Sequence, residues 1–391
     1  MTRYSPPTAA FPTSGPVPAA DMIGRKEDVR SLVESLRAGA NQIVGGPRRT
    51  GKTTVCEAAV AGLAKGAYTV SIDLFRMGDI GELSDALILR TISNRPVIRK
   101  ALGGARTGIR ALGEHLRLAP VLRLKNELGA DLEVAFAAKA GDPEKRFDAA
   151  LTLMCRLAEA DSRQLILYID EAQEIGRTHS PFGDADRITK RMRSILQGAP
   201  HVNTLFAGSQ EHLLMELFTP KHRAFHGWAS WVTLEPIAAD AWERGLTTRF
   251  RQAGVSIEAT ALDRLVAAGE GHARSTMLIA QQSALAAVFE NASTVDDALV
   301  EVGIDRAMGA DSALHQEVMA ELRRLGKHVP AVVRAIAGGE APYGSRGEAL
   351  APNAVQRALE AASKAGVVAQ RGARGTGGWV IVDPLLRRYL V

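Results

Sequence analysis

Gly46-Pro47-Arg48-Arg49-Thr50-Gly51-Lys52-Thr53 is the stretch on which the fold turns. It fits the pattern G-x-x-x-x-G-K-[ST] and lies between a short apolar run, residues 42–44, and a segment of helical composition. Glycines let main-chain N–H groups curl around phosphate oxygens, and the N-terminus of the following helix adds positive potential. In such a loop Lys52 reaches the β- and γ-phosphates, and the Thr53 hydroxyl ligates Mg²⁺. The expected nucleotide-binding residues are Gly46, Pro47, Arg48, Arg49, Thr50, Gly51, Lys52, Thr53 and Thr54, with ATP and Mg²⁺ as cofactors. The competing reading is a Gly-rich turn carrying a solvated lysine.

A second stretch argues against that turn. Leu165-Ile166-Leu167-Tyr168-Ile169-Asp170-Glu171 is an apolar strand ending in two carboxylates. Asp170 at the strand tip is placed to hold Mg²⁺ together with Thr53. Glu171 beside it is placed to take a proton from an attacking water, which separates a hydrolase from a passive binder. Residues 204–207 form another apolar run, followed by Gly208-Ser209-Gln210. Ser209 either orients that water or touches the γ-phosphate, or it belongs to a simple turn. Arg223 and Arg274 are candidates for stabilising charge on a transferring phosphoryl group, from this chain or a neighbouring copy. Each also reads as an ordinary surface arginine.

Working outward, five short β-like runs (residues 42–44, 68–72, 165–169, 204–207 and 231–234) are separated by helical stretches. Apolar runs that do not alternate, divided by helices, predict an α/β fold with a parallel sheet covered on both faces. Before them, residues 1–20 carry Pro6, Pro7, Pro12, Pro16 and Pro18 among small residues and are expected to be a disordered tail. The sheet domain is assigned to residues 21–237, with an insertion over about 99–139 containing a hairpin at 121–124 and 132–136. Residues 238–254, 260–268 and 274–292 read as three helices of an all-α lid within 238–309. Residues 310–391 open with Leu314, Val318 and Leu322 on one helical face and end in a hairpin, 367–370 and 379–382.

At these residues the chain resembles an AAA+ ATPase. In detail it is similar to the archaeal-type ATPase group, near the signal-transduction ATPases with numerous domains and the origin-recognition ATPases. The likeness rests on Ile23-Gly24-Arg25-Lys26-Glu27, the Gly-Pro-Arg-Arg-Thr-Gly-Lys-Thr loop, Ile169-Asp170-Glu171-Ala172-Gln173 and Gly271-His272-Ala273-Arg274, and spans about residues 21–391. It implies a P-loop NTPase sheet of five parallel strands, with the Walker B strand beyond the strand of Ser209, and a lid closing over adenine. It further implies a C-terminal winged helix, Ser209 as sensor 1, Arg223 in the finger region and Arg274 as sensor 2, with Gly24 and Arg25 near the base. Ala273 departs from the proline that relatives often carry there, and the insertion has no counterpart.

The winged-helix reading opens a question about partners. Residues 310–391 hold eleven Lys/Arg against seven Asp/Glu, a net +4. Arg371 and Arg374 would sit on a basic wing, and Asn353, Gln356 and Arg357 on a helix starting near Pro352 are residue types that read base edges. Double-stranded DNA is therefore one candidate partner, and the alternative is a signalling or defence ATPase acting on protein partners without DNA. A homo-oligomer or a protein partner is expected in the ATP-bound state. Arg187, Lys190, Arg191 and Arg193 fall mostly on one helical face, a solvated face or a contact surface. His222 and His226, four apart without a helical carboxylate, are not expected to bind metal.

With 46% hydrophobic and 23% charged residues, the 391-residue chain reads as globular and long enough for two or three domains. Cys56 and Cys155 stand without CxxC spacing and read as small hydrophobes. No apolar run approaches ~18 residues, so no membrane contact is expected. The expected location is cytoplasmic.

Overall fold

The computed structural model describes residues 4–64, 66–95, 142–342, 350–370 and 378–391. In chain order the elements are α1 (Pro7–Ala10), α2 (Lys26–Arg37), β1 (Gln42–Gly45), α3 (Lys52–Leu63), β2 (Tyr68–Asp73), α4 (Ile80–Asn94), α5 (Pro143–Ala160) and β3 (Leu165–Asp170). Then come α6 (Ala185–Leu196), β4 (Val202–Ala207), α7 (Glu211–Phe218), β5 (Ser230–Thr233), α8 (Ala239–Gln252), β6 (Ser256–Ile257), α9 (Ala259–Gly269) and α10 (Ala273–Phe289). The last are β7 (Thr294–Val295), α11 (Asp297–Ala310), α12 (Ser312–Leu325), α13 (Val329–Ala337), α14 (Pro352–Lys364), β8 (Val368–Gln370), β9 (Trp379–Ile381) and α15 (Pro384–Leu390). The insertion expected at 99–139, with its hairpin, lies outside the described residues.

Two compact units make up the chain. One comprises Asp28–Gly46 and Val55–Thr233. Its sheet has the order β2-β3-β4-β1-β5, and every pairing is parallel. β3 reads Leu-Ile-Leu-Tyr-Ile-Asp and is buried as far as Ile169, because both of its faces are covered. Register pairs Asp73 with Asp170, and Ile169 with Phe206, so the carboxyl ends of β2, β3 and β4 lie along one edge. Side-chain caps fix the flanking helices: Asp79 accepts from the Glu82 N–H, Asp142 from Glu144 and Asp184 from Arg187. On α6, Ile188, Met192 and Leu196 recur every fourth residue and turn one stripe into the core.

The other unit comprises Met1–Glu27, Pro47–Thr54 and Leu234–Val391. Four helices, α8 to α11, build its larger core, one more than the three expected. The fourth, α11, buries Leu299, Val300, Ile304 and Ala307. Gly303 lets it close on α10, since a Cβ there would meet the Ser283 hydroxyl at 2.1 Å. The proline-rich segment expected to be disordered is instead built in. Phe11 is fully buried, its ring centroid 4.8 Å from that of Phe250, and its carbonyl accepts from Gln281. One aromatic residue among the prolines supplies the apolar face that the composition hid.

A second core in this unit joins α12, α13, α14 and the antiparallel β8–β9 hairpin. The inward face of α12 carries His315, Met319 and Leu322 rather than Leu314, Val318 and Leu322, a shift that turns an imidazole inward. α15 seats Leu385 in the larger core and Leu386 in this second core.

Candidate functional site

The phosphate-type loop carries three residues of positive φ, Gly46 at 126°, Arg49 at 68° and Gly51 at 95°. Left-handed residues alternating with ordinary ones turn successive N–H groups to one side, the geometry of an anion nest. At Gly51 a side chain would strain the backbone, whereas Arg49 carries that strain as it stands. Thr50 Oγ1 donates to the Pro47 carbonyl at 3.0 Å, and the Lys52 ammonium donates to the same carbonyl. The Thr54 hydroxyl is engaged elsewhere, accepting from the Val17 N–H at 3.3 Å.

Arg25 holds this loop in place. Its guanidinium is buried and donates to the carbonyls of Thr50 (3.2 Å) and Glu235 (2.7 Å). Gly24 lies against Ile237 and Ala241. Of the pair expected beside the base, Arg25 clamps the backbone of the loop.

In the same unit, His272 caps α10 and its ring hydrogen-bonds the backbone of Arg48. Burial holds this imidazole below its ordinary pKa, with Arg274 and Arg49 pushing the same way. Arg274 lies close enough to Arg49 to depress that guanidinium, after burial, which is the larger cause. Yet Arg274 is bound: both of its terminal nitrogens donate to Asp311. Burial would raise the Asp311 carboxyl, but the hydrogen bonds and charge of Arg274 bring it below the usual carboxylate range. Sequence reasoning missed Asp311, which reads as a helix-junction cap. It missed Asp383 as well, which accepts from Ser275 Oγ at 2.9 Å.

In the sheet unit, β3 delivers Asp170 and Glu171 to the carboxyl edge. Glu171 is left-handed at φ 52°, its N–H donates to Asp170 Oδ1, and its carboxylate accepts from Ser209 Oγ at 2.9 Å and from Gln173 Nε2. Ser209 follows the end of β4 and its hydroxyl touches Glu171. Gln173, whose part here no sequence pattern marks, is almost fully buried. Burial first, and the charge of Asp170 second, hold the Glu57 carboxyl above its ordinary value. Negative charge is in surplus at this strand end. Hard oxygen donors in such surplus fit a divalent cation of the magnesium kind, with Asp170 as the residue of this unit that would hold it.

No protein-family model and no curated protein matches the chain. Among solved structures, the Walker-type ATPase PABY2304 of Pyrococcus abyssi matches with a TM-score of 0.67 at 17% identity, covering 97% of this chain and 99% of that one. The ORC2 protein of Aeropyrum pernix, in its ADPNP–ADP complexes, matches with a TM-score of 0.59 at 14% identity, covering 99% and 96%. The chain has the AAA+ P-loop ATPase fold. The strand order agrees, with β3 beyond β4 as seen from β1.

Arg223, in the segment between α7 and β5, pairs with Asp186 at 2.6 Å. Arg187 and Arg191 bridge to Glu144 on α5, and Arg193 donates to the Ala224 and His226 carbonyls while lying 5.1 Å from the centre of the Trp228 ring. That basic run is largely spent inside its own unit. Asn353, Gln356 and Arg357 are exposed on α14, where Gln356 donates to Glu360. Arg371 and Arg374 lie outside the described residues. Among the described residues, no helix is long and apolar enough to cross a membrane.

Proposed function

We propose that the chain binds ATP with Mg²⁺, hydrolyses it, and couples its nucleotide state to contacts made by the C-terminal segment. The observation that carries this reading is the cluster at the end of β3. There Glu171 follows a metal-type carboxylate and is oriented by Ser209 and Gln173. A carboxylate steered by two neutral polar groups suits a general base. Similarity of fold to a Walker-type ATPase, and to a protein solved with ADPNP and ADP, supports the nucleotide.

In this reading the loop amides and Lys52 grip the phosphates. Thr53 and Asp170 hold Mg²⁺, which when bound offsets the charge of the triphosphate. Glu171 takes the proton of a water as its oxygen bonds to the γ-phosphorus and the bond to the ADP oxygen breaks. Arg223 and Arg274 answer the charge on the transferring group, from this chain or from a neighbouring copy.

Lys52→Ala should abolish ATP binding, while Glu171→Gln should retain ATP and lose turnover. Undiminished hydrolysis by the Glu171→Gln protein would remove the glutamate from this role.

The C-terminal segment is read as a winged helix whose α14 meets the partner through Asn353, Gln356 and Arg357. Duplex DNA and a protein surface are separated by one experiment, size-exclusion of the Glu171→Gln protein with ATP, with and without duplex DNA. Co-elution that weakens steeply with salt favours DNA. ATP-dependent assembly indifferent to DNA favours a signalling ATPase with protein partners.

A further inference from the structure

His315 is the most anomalous polar group in the unit that holds the lid. It lies on the inward face of α12 at 1% exposure, and neither ring nitrogen has a hydrogen-bond partner among the described residues. A neutral imidazole has one donor and one acceptor, and a buried polar atom left unsatisfied costs about 1–3 kcal/mol. Tyr389 packs against the ring, with centroids 5.1 Å apart, and offers it no described hydrogen bond.

What faces His315 is a pair of carboxylates from separate elements. Asp311 stands one helical turn before it, and Asp383 caps α15. One ligand atom from each of the three residues lies within 4.8 Å of the other two. The imidazole makes no direct hydrogen bond to either acid, so a small central species fits better than contact between the side chains. One nitrogen and two carboxylate oxygens are a recurrent donor set for a borderline divalent ion, with water completing the tetrahedron.

We propose that Asp311, His315 and Asp383 form a binding site for a divalent ion of the zinc class, at the junction between the lid and the C-terminal segment. Its setting adds a consequence. Arg274 occupies both oxygens of Asp311, and Arg49 stands close by. Two guanidinium groups already balance the two carboxylates, so a dication enters only as Arg274 gives up Asp311. The ion and Arg274 compete for one carboxylate, and loading the site releases an arginine that neighbours the phosphate-type loop. This inference concerns a site separate from Thr53 and Asp170 and holds whether or not ATP is hydrolysed.

The test is titration of the full-length, nucleotide-free protein with Co²⁺, followed by the visible d–d bands of a low-coordinate cobalt site and by equilibrium dialysis. One ion per chain should bind, be displaced by Zn²⁺, and persist in Asp170→Asn. His315→Gln and Asp383→Asn should each weaken it at least about tenfold, the lower end of what even outer partners of a metal site cost. Arg274→Met should tighten it, because Asp311 is then free. Circular dichroism checks that each variant is folded, and the Arg274 variant keeps the test alive if a ligand variant is not. No uptake, or uptake unchanged in His315→Gln and not tightened in Arg274→Met, would overturn the site and leave His315 holding a buried water.

Discussion

The Arg274 guanidinium closes a two-point pair on Asp311, with Nη2 2.7 Å from Oδ1. The pair ties the first turn of α10 to the junction of α11 and α12. The side chains keep only 19% and 5% of their exposure, so neither charge can be left alone cheaply. Asp311→Asn should lower unfolding stability by roughly 2–3 kcal/mol, somewhat less than removing one partner of a fully buried pair. The double variant Arg274→Met/Asp311→Leu should recover most of that loss, because no unpaired charge remains. Urea unfolding of the single and double variants checks this, and a double variant weaker than either single one would contradict it.

β3 and β4 were legible because buried parallel strands are unbroken apolar runs, and the glycine–lysine loop because its spacing is chemical. Ser209 was singled out because it follows such a run. Asp311 and Arg274 are 37 residues apart in different helices, and no local pattern links them. The frame of α12 was misread by one position, since leucine and valine outrank histidine as core formers although His315 is what points inward. Phe11 was hidden by its neighbours, because a proline-rich composition averages away a single anchoring ring.

Ser209 positions Glu171 and touches no phosphate in the proposed mechanism. Ser209→Ala deletes one of two hydrogen bonds to the carboxylate. The expected result is kcat lowered about ten- to a hundredfold, within the range for general-base catalysis, with ATP affinity little changed. Ser209→Thr should restore part of the rate. Steady-state turnover alongside ATP titration distinguishes this from a folding defect, which would move both.

Arg25 grips two carbonyls, Thr50 in the loop and Glu235 before α8. A lysine keeps the charge but not the planar fork that spans two acceptors. Arg25→Lys should therefore weaken ATP binding about tenfold, equivalent to roughly 1.4 kcal/mol and close to one net hydrogen bond. Isothermal calorimetry with ATP and Mg²⁺ reads it directly. Affinity equal to that of the parent protein would show that the clamp is not needed to shape the loop.

Phe11 anchors the N-terminal segment in the core of α8 to α11 beside Phe250. Emptying such a site costs about 3–5 kcal/mol for phenylalanine to alanine. Phe11→Ala should lower the thermal midpoint, and removal of residues 1–20 should do at least as much. A truncated protein as stable as the full chain would contradict the packing of this segment.

The two buried imidazoles set a pH dependence whose sign differs from that of a salt-bridged histidine. Burial holds His272 and His315 below the ordinary histidine pKa; for His315 the nearby Asp383 and Asp311 oppose the shift, and Arg274 and Arg49 add to it. The native state therefore keeps both rings neutral while the unfolded chain takes up protons below about pH 6.5. Their contribution is whole above that pH and is lost as pH falls towards the folded values. Asp311, depressed below its ordinary value, keeps its own contribution until far lower pH. Urea unfolding at pH 7.5 and 5.5 should show stability falling on acidification, by up to about 1.4 kcal/mol per pH unit for each histidine. His315→Gln should remove one proton's share of that slope, and an unchanged slope would mean that His315 is already protonated in the folded chain.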